Sequence, residues 1–312
     1  MSLLSIVVPC YNEQEMILLF YEKIVEILNQ IKNYINFELI FIDDGSEDNT
    51  LELIKNISNK DSNVKYVSFS RNFGKESAIY AGLKKSLGDY VVLIDVDLQD
   101  PPELIIKMYD LIINSNYDCV ATRRTSRNGE PAIRSFFARL FYKIINKISK
   151  VGIIDGARDY RFMTRKMVDS ILNLKEYNRF SKGIFSWVGF KTKWLDYKNI
   201  KRASGTSKWS FWKLLVYSLD GITAFSTVPL AIASILGIIL CFIAFIFICV
   251  IIVKTLVWGE VVGGYPTLIC TIIFLGGIQL FCIGILGQYI SKIYLETKSR
   301  PIYIVKEEDS IK

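Results

Sequence analysis

The sequence predicts an α/β domain built on a parallel sheet, followed by a C-terminal region of two membrane-spanning helices. Two observations predict this arrangement. Over the first part of the chain, short apolar runs alternate with segments of helical periodicity, which is typical of a sheet with helices on both faces. In the last third, two long apolar stretches contain no charged residue, and each is long enough to cross a bilayer.

The predicted strands are rich in Val, Ile and aromatic residues, and they cover residues 5–9, 38–42, 64–69 and 90–94. Between the first two, residues 14–31 carry apolar side chains at the spacing of an amphipathic helix. Three strands are followed by polar segments, namely Tyr11-Asn12-Glu13, Asp43-Asp44-Gly45-Ser46 and Asp95-Val96-Asp97. Because parallel strands present their carboxyl ends at one edge of a sheet, we expect a ligand site there.

Asp95 and Asp97 lie two residues apart, so in an extended strand both side chains point the same way. Two neighbouring carboxylates repel each other unless a cation lies close by. Since the chain has no histidine and no cysteine lies near, the expected cation is a hard one, Mg²⁺ or Mn²⁺. Asp100 directly precedes Pro101 and Pro102, and we interpret it mainly as the N-cap of the next helix.

Residues 131–150 combine an apolar stripe with basic residues and no acid, which favours a helix lying in the membrane interface over one packed on the sheet. Residues 207–226, with Trp209 and Trp212, form a second predicted interfacial segment. The predicted spans are residues 228–253 and 267–289. Basic residues flank the pair on both sides, so the positive-inside rule places both of its ends in the cytoplasm.

Composition narrows the function classes. The formal charge is +7, but 51% of the residues are hydrophobic and the basic residues cluster beside the spans, so a membrane partner is expected and nucleic acid is not. The six cysteines contain no CxxC pair, and four of them lie in long apolar stretches, so they are interpreted as small buried hydrophobic residues in a reducing compartment and not as a disulfide framework. Without histidine the commonest general base is excluded.

An ordered set of motifs resembles the family 2 glycosyltransferases, and within them the polyprenyl-phosphate type, which includes bactoprenol glucosyltransferases and dolichol-phosphate mannose synthase. The motifs run nearly end to end: VVPCYNEQE, FIDDGSEDNT, SRNFGKESAIYAGL, DVDLQDPPEL, DGARDYRFM, RFSKGIFSWVGF, RASGTSKWSFWKL and GQYISKIYLETKSRPIYIV. The resemblance implies the nucleotide-sugar-binding glycosyltransferase A fold and an inverting transfer. The implied partners are a nucleotide sugar donor and a polyprenyl phosphate lipid acceptor, with homo-oligomerisation left open.

Site residues follow from the resemblance position by position. For the nucleotide sugar it implies Pro9, Tyr11, Glu13, Asp43, Asp44, Lys75, Asp95, Gln99 and Lys208; for the metal, Asp95, Asp97 and Gln99; for the acceptor phosphate, Arg123 and Arg134; and for the sugar pocket, Asp155, Asp159 and Arg161. Asp95, Asp97, Arg123 and Arg134 are the predicted catalytic residues. Asn72, Gly74 and Lys75 resemble the family's NFGK turn, for which a simple tight turn before the helix is the alternative. Arg124, Arg127 and Arg139 are close enough to be alternative acceptor residues, with surface solvation as their other possible role, and Lys208 is alternatively a juxtamembrane lysine. Arg158 stands where many members have a small residue, so the sugar pocket is expected to differ.

Together, the change in composition, the predicted spans and the resemblance divide the chain into a cytoplasmic catalytic domain (residues 1–206), a juxtamembrane segment (207–226), two transmembrane helices (227–290) and a cytoplasmic tail (291–312). UDP-glucose with undecaprenyl phosphate is the first expectation, in support of cell-envelope glycan modification. UDP-galactose, UDP-GlcNAc and GDP-mannose stay open as donors. Two rivals from other classes are a membrane-bound phosphohydrolase using Asp95 and Asp97, and a catalytically inert membrane adaptor.

Overall fold

The fold is described from a computed structural model. It describes residues 1–124, 143, 145–149, 152, 154, 156–197, 220–258 and 264–309. Most of the predicted amphipathic helix at 131–150, and residues 198–219 before the first apolar helix, lie outside the described residues. Lys143 and residues 145–148 of the first region are described and are helical, and residues 220–225, directly after the second region, are helical as well.

The α/β part alternates strands and helices as the sequence predicts. In chain order the elements are β1 (Leu3–Cys10), α1 (Ile17–Asn29), β2 (Asn36–Asp43), α2 (Thr50–Lys60), β3 (Val64–Phe69), α3 (Lys75–Lys85), β4 (Tyr90–Leu93), α4 (Leu104–Asn114), β5 (Cys119–Arg124), β6 (Ala157–Thr164), α5 (Arg165–Leu172), α6 (Ser181–Trp187), β7 (Thr192–Tyr197), α7 (Val228–Trp258), α8 (Tyr265–Thr297) and β8 (Val305–Glu308). The four strands predicted from composition correspond to β1, β2, β3 and β4, with ends that differ by at most two residues.

All eight labelled strands belong to one sheet, in the order β7, β5, β6, β4, β1, β2, β3, β8. β1 is paired in parallel with β2 on one side and β4 on the other. β6 is antiparallel to both β4 and β5, and β8 is antiparallel to β3. The chain order therefore reverses at β1, and the carboxyl ends of β1, β2 and β4 form a crevice of the kind in which such sheets bind ligands.

Two apolar cores cover the faces of this sheet. One includes Phe20 of α1 and Met108 of α4, and the other includes Ile79 of α3 and Met167 of α5. Gly82 lets α3 lie directly on β1, because a Cβ at this position would be 2.1 Å from Cγ1 of Val7. This close approach holds the second half of α3 directly against this face of the sheet.

The helices α7 and α8 are both long and apolar enough to cross a membrane, and their apolar windows are not buried against the rest of the protein. α8 continues beyond the predicted boundary at residue 289, because its last turns contact the α/β domain. Glu296 accepts hydrogen bonds from the backbone N–H groups of Tyr177 (2.9 Å) and Asn178 (3.1 Å). Lys292 forms an ion pair with Asp220 at 3.0 Å.

The C-terminal segment contains a strand that the sequence analysis did not predict. β8 pairs with β3 and closes that edge of the sheet, and the ring of Tyr303 stacks on Phe69 with centroids 4.8 Å apart. Lys85 of α3 forms an ion pair with Glu308, with 2.8 Å between Nζ and Oε2. The strand is short and highly charged, as edge strands often are, and its partner lies far away in sequence, so local composition gives little sign of it.

Candidate active site

The loops after β1 and β2 are joined by reciprocal hydrogen bonds. The backbone N–H of Asn12 donates to the hydroxyl of Ser46 (2.9 Å), and the N–H of Glu47 donates to the Asn12 side-chain oxygen (2.8 Å). The N–H of Glu13 donates to the Thr50 hydroxyl at 2.8 Å. Asn12 has a φ of 51°, a left-handed conformation that asparagine tolerates better than most residues. The loops that contain Tyr11, Glu13 and Asp44 therefore form one rigid wall.

Asp43 supports this wall from below. Its side chain is fully buried, and it accepts hydrogen bonds from the Ser46 N–H (3.1 Å) and the Ser68 hydroxyl (2.7 Å). Pro9 lies on the neighbouring strand, opposite Ile42 in the parallel register. The described contacts of Asp43 are internal, so they favour a supporting role for Asp43 within the predicted nucleoside site.

Asp44 joins the second loop to the turn before α3. Its carboxylate accepts hydrogen bonds from the backbone N–H groups of Phe73 (2.6 Å) and Gly74 (2.9 Å). Burial raises the pKa of Asp44 to about 6, although these two N–H groups oppose the shift. Gly45 permits the contact between the two loops, because its φ is +66° and a Cβ would lie 2.4 Å from the carbonyl carbon of Arg71.

Lys75 lies between two carboxylates from different strands. Its ammonium nitrogen is 2.8 Å from Oδ1 and 2.9 Å from Oδ2 of Asp95, and 2.7 Å from Oδ2 of Asp159. The sheet explains this arrangement, since Leu93 of β4 pairs with Arg161 of antiparallel β6. Continuing that register places Asp159 opposite Asp95, where like charges would be destabilising without a cation.

The charges of this cluster stabilise one another. Burial alone would lower the pKa of Lys75, but Asp159 and Asp95 outweigh it and hold the pKa above the ordinary lysine value. Burial alone would raise the pKa of Asp159, but Lys75 and the nearby Lys182 and Arg161 hold it below the ordinary range. Lys75 is therefore an ammonium ion, and Asp159 a carboxylate, at neutral pH.

The turn after β4 carries the remaining predicted metal ligands. Asp97 is 7% exposed, and its Oδ1 accepts the backbone N–H of Gln99 at 3.1 Å. Leu98, between them, has a φ of 54°, which is unusual for a bulky side chain and is typical of strain held at a functional turn. The turn thus holds Asp97 close to Asp95 in a fixed conformation.

These side chains fit a metal that is shared with a substrate. Mg²⁺ is usually held by one or two carboxylates, with water and substrate phosphates completing its coordination. In the part of the chain that the structure describes, no group of three or more His, Cys, Asp or Glu side chains could hold a metal by itself. Asp95 and Asp97, with the amide oxygen of Gln99, match an open site of this kind.

The prediction that Asp100 caps a helix is wrong. Two prolines delay the helix, so α4 begins at Leu104 after an N-cap at Glu103 that makes no side-chain capping bond. Asp100 is 1% exposed, accepts a hydrogen bond from the Tyr197 hydroxyl and forms an ion pair with Arg158 at 3.1 Å. Arg158, on β6, therefore connects this strand to the segment after the predicted metal ligands.

The predicted sugar-pocket residues lie in different environments. Asp159 borders the cluster at Lys75, whereas Asp155 lies outside the described residues. Arg161 is 3% exposed, and its guanidinium lies over the ring of Phe185 at 3.5 Å. It also donates to the backbone carbonyl of Asp159 at 3.2 Å. Arg161 thus contacts the backbone of Asp159 from the buried side. Its role in the sugar pocket stays a prediction.

Of the predicted acceptor residues, Arg123 is described and Arg134 is not. Arg123 lies at the carboxyl end of β5, and its guanidinium makes a two-pronged pair with Asp196 of β7, at 2.8 and 3.0 Å. Both side chains are well exposed, so the guanidinium can exchange this partner for another anion at little cost. Lys208, the predicted cation for the diphosphate, also lies outside the described residues.

Sequence reasoning missed the partners that hold these charged groups. Asp196 holds Arg123, Tyr197 holds Asp100, and Glu76 accepts hydrogen bonds from the N–H and hydroxyl of Ser181. Asp196 and Tyr197 lie at the carboxyl end of β7. Several of the predicted site residues also lie at or just after strand ends, so this position in the sequence could have indicated both residues. Nothing in the local pattern around Glu76 indicates a partner on α6.

Comparison with known proteins identifies relatives along almost the whole chain. The model of the glycosyl transferase family 2 matches residues 5–172. A bactoprenol glucosyl transferase of Shigella phage SfX is 44% identical over 97% of this chain and 98% of its own length. A prophage bactoprenol glucosyl transferase homolog of Escherichia coli (strain K12) is 43% identical, with the same coverage of both chains. An uncharacterized glycosyltransferase of Synechocystis, sll0501, is 40% identical over 97% of this chain and 95% of its own.

Proposed function

Since the chain belongs to the glycosyl transferase family 2, we propose that it transfers a hexose from a nucleotide sugar to a polyprenyl phosphate at a membrane surface. The observation that carries this proposal is the acidic edge of the sheet. There Asp44 follows β2, and Asp95 and Asp97 follow β4, the two strands that flank β1, in a chain that also has two long apolar helices. The proposed donor is UDP-glucose, the acceptor undecaprenyl phosphate, and the transfer inverts the anomeric centre.

On the donor side, the rigid wall formed by the loops after β1 and β2 would hold the nucleoside, with Tyr11, Glu13 and Asp44 as its contacts. Asp95, Asp97 and Gln99 would hold Mg²⁺ or Mn²⁺ against the diphosphate. The metal supplies a positive charge that stabilises the departing nucleoside diphosphate. Lys208 would add a cation to the same group, and Asp159 would line the sugar side of the crevice.

On the acceptor side, no general base is required. A lipid phosphate monoester has a second pKa of about 6, so at neutral pH it is already an anionic nucleophile. The chain has no histidine, which agrees with such a mechanism. Arg123 and Arg134 would hold the phosphate in line with the anomeric carbon, because arginine can grip two phosphate oxygens at once. Catalysis would then rest on positioning and on charge stabilisation.

The proposed location is the cytoplasmic face of the cell membrane. Two crossing helices would anchor the domain, and the basic residues of 131–150 would lie in the interface beside the emerging lipid head. The product, a lipid-linked sugar, would supply cell-envelope glycan modification.

The direct test presents radiolabelled nucleotide sugars to the protein in membranes that contain undecaprenyl phosphate. We expect label from UDP-glucose to enter the organic phase only when the lipid is present. Transfer from UDP-galactose, UDP-GlcNAc or GDP-mannose instead would correct the donor and keep the reaction. Release of inorganic phosphate without lipid would favour a phosphohydrolase, and no turnover of any donor would favour an inert adaptor.

The metal assignment has its own prediction. Asp97→Ala should abolish transfer while the protein still folds, since it removes a proposed ligand at the turn, and EDTA should abolish transfer reversibly. Asp110→Ala is the matched control, because Asp110 is an exposed aspartate on α4 and should leave transfer unchanged. Full activity of Asp97→Ala, or of the EDTA-treated enzyme, would exclude the assignment.

A further inference from the structure

Lys75 forms an ion pair with Asp95, a carboxylate that the proposed metal requires. Its ammonium nitrogen lies within 2.9 Å of both oxygens of Asp95, so it engages the same lone pairs that a divalent cation would use. A cation bound to Asp95 would also lie within a few ångströms of this positive charge, where like charges repel strongly. Lys75 and the metal therefore cannot both keep their best contacts with Asp95.

The structure also provides a place for Lys75 to go. Asp159 lies 2.7 Å from the same nitrogen, so Lys75 can leave Asp95 and keep one carboxylate partner. The diphosphate of the donor would add further negative charge on the open side of the crevice. Donor binding would thus draw Lys75 away from Asp95, and the vacated oxygens would become available to the metal.

We propose that Lys75 competes with the divalent cation for Asp95, so that metal binding and donor binding are coupled through this one side chain. The inference rests on the proposed function, since it takes Asp95 as a metal ligand. It also explains how the binding of metal and donor would be ordered. The metal would bind weakly to the free enzyme and tightly once the nucleotide sugar is present. By linkage, the metal must then strengthen donor binding by the same factor.

The test measures Mn²⁺ binding to the full-length protein in detergent, from the loss of the EPR signal of free Mn²⁺, with and without UDP-glucose. The informative variant is the double substitution Lys75→Met with Asp159→Asn. It removes one positive and one negative charge, so the net charge of the site is unchanged, and Asp159 is not left as a carboxylate without its cation. Lys75→Met alone changes the net charge and leaves Asp159 without its cation, so it serves only as a supporting variant.

We expect the double variant to bind Mn²⁺ alone roughly tenfold more tightly than the wild type, with a smaller further gain from UDP-glucose. Lys84→Met is the control, since Lys84 is an exposed lysine on the same helix and should leave both affinities unchanged. An effect of net charge alone predicts no change for the double variant, because its net charge is preserved. Unchanged or weaker Mn²⁺ binding would overturn the inference.

This outcome is distinguishable from failure of the proposed function. If the wild type binds Mn²⁺ with UDP-glucose and Asp97→Ala does not, the metal site stands, and only the role of Lys75 is judged by the double variant. If the wild type fails to bind Mn²⁺ even with UDP-glucose, the metal assignment fails, and the inference fails with it.

Discussion

Asp44 is a buried carboxylate that organises two parts of the proposed donor site. It accepts two backbone N–H groups of the turn before α3, and it follows the strand whose loop would hold the nucleoside. Burial raises its pKa to about 6, so the folded protein binds a proton more readily than the unfolded chain between about pH 4 and pH 6. This group's contribution to stability therefore decreases as pH rises through that window.

Function should follow the opposite direction, because only the carboxylate form can accept both N–H groups fully. We expect the affinity of the wild type for UDP-glucose to fall as the pH drops below 6. Asp44→Asn should bind UDP-glucose at least roughly tenfold more weakly than the wild type, and its affinity should not change with pH in this range. Binding is measured by calorimetry without lipid, because UDP-glucose has no terminal phosphate that titrates in this range. A wild-type affinity that is constant from pH 5 to pH 7 would contradict this role of Asp44.

Arg134 allows the acceptor to be tested separately from the donor. Arg134→Ala should remove one or two charge-assisted bonds of about 1.5–3 kcal/mol each, so transfer should fall roughly ten- to a hundredfold or more. Affinity for the nucleotide sugar should be nearly unchanged, and Arg134→Lys should rescue only in part. Arg139→Ala is the matched control. Equal and small losses of transfer in Arg134→Ala and Arg139→Ala would mean that this segment only anchors the protein. A loss of donor affinity in Arg134→Ala would mean that the donor and acceptor are assigned to the wrong sides of the metal.

At the scale of elements, the sequence was sufficient for the parts that depend on local pattern. The strands β1 to β4 follow from runs of branched apolar residues, and the acidic edge follows from the polar residues after them. Pairing between distant segments could not be predicted in the same way. β6 enters antiparallel between β4 and β5, and only this register places Asp159 opposite Asp95 with Lys75 between them.

The strand β8 is the clearest case of such a distant pairing, and it gives a prediction. Tyr303→Ala removes a ring that stacks on the buried Phe69, so we expect a loss of about 2 kcal/mol, seen as a lower melting temperature in detergent. Trypsin should also cut faster at Lys306 if β8 detaches. Tyr34→Ala is the control, since Tyr34 is 70% exposed. Equal melting temperatures for both variants would mean that this strand contributes little to the fold.

At the scale of the whole molecule, β8 constrains how the chain can lie in a membrane. The α/β domain precedes α7 and β8 follows α8, yet both belong to the same sheet. If the helical pair crosses a membrane as proposed, its two ends must therefore lie on the same side, which requires an even number of crossings. The contacts of Glu296 with Tyr177 and Asn178 hold the end of α8 against the domain on that side.

Cysteine accessibility in intact cells tests this topology. In a variant without native cysteines, Glu260→Cys should react with an impermeant maleimide, because residue 260 lies in sequence between the two proposed spans. Lys312→Cys should react only after the cells are permeabilised, since the charge distribution predicts that both ends of the pair are cytoplasmic. Asp110→Cys on α4 is the control for the cytoplasmic side. If Lys312→Cys were labelled from outside while Asp110→Cys stayed protected, the chain would cross an odd number of times. β8 could not then pair with β3, and the two-span arrangement would have to be abandoned.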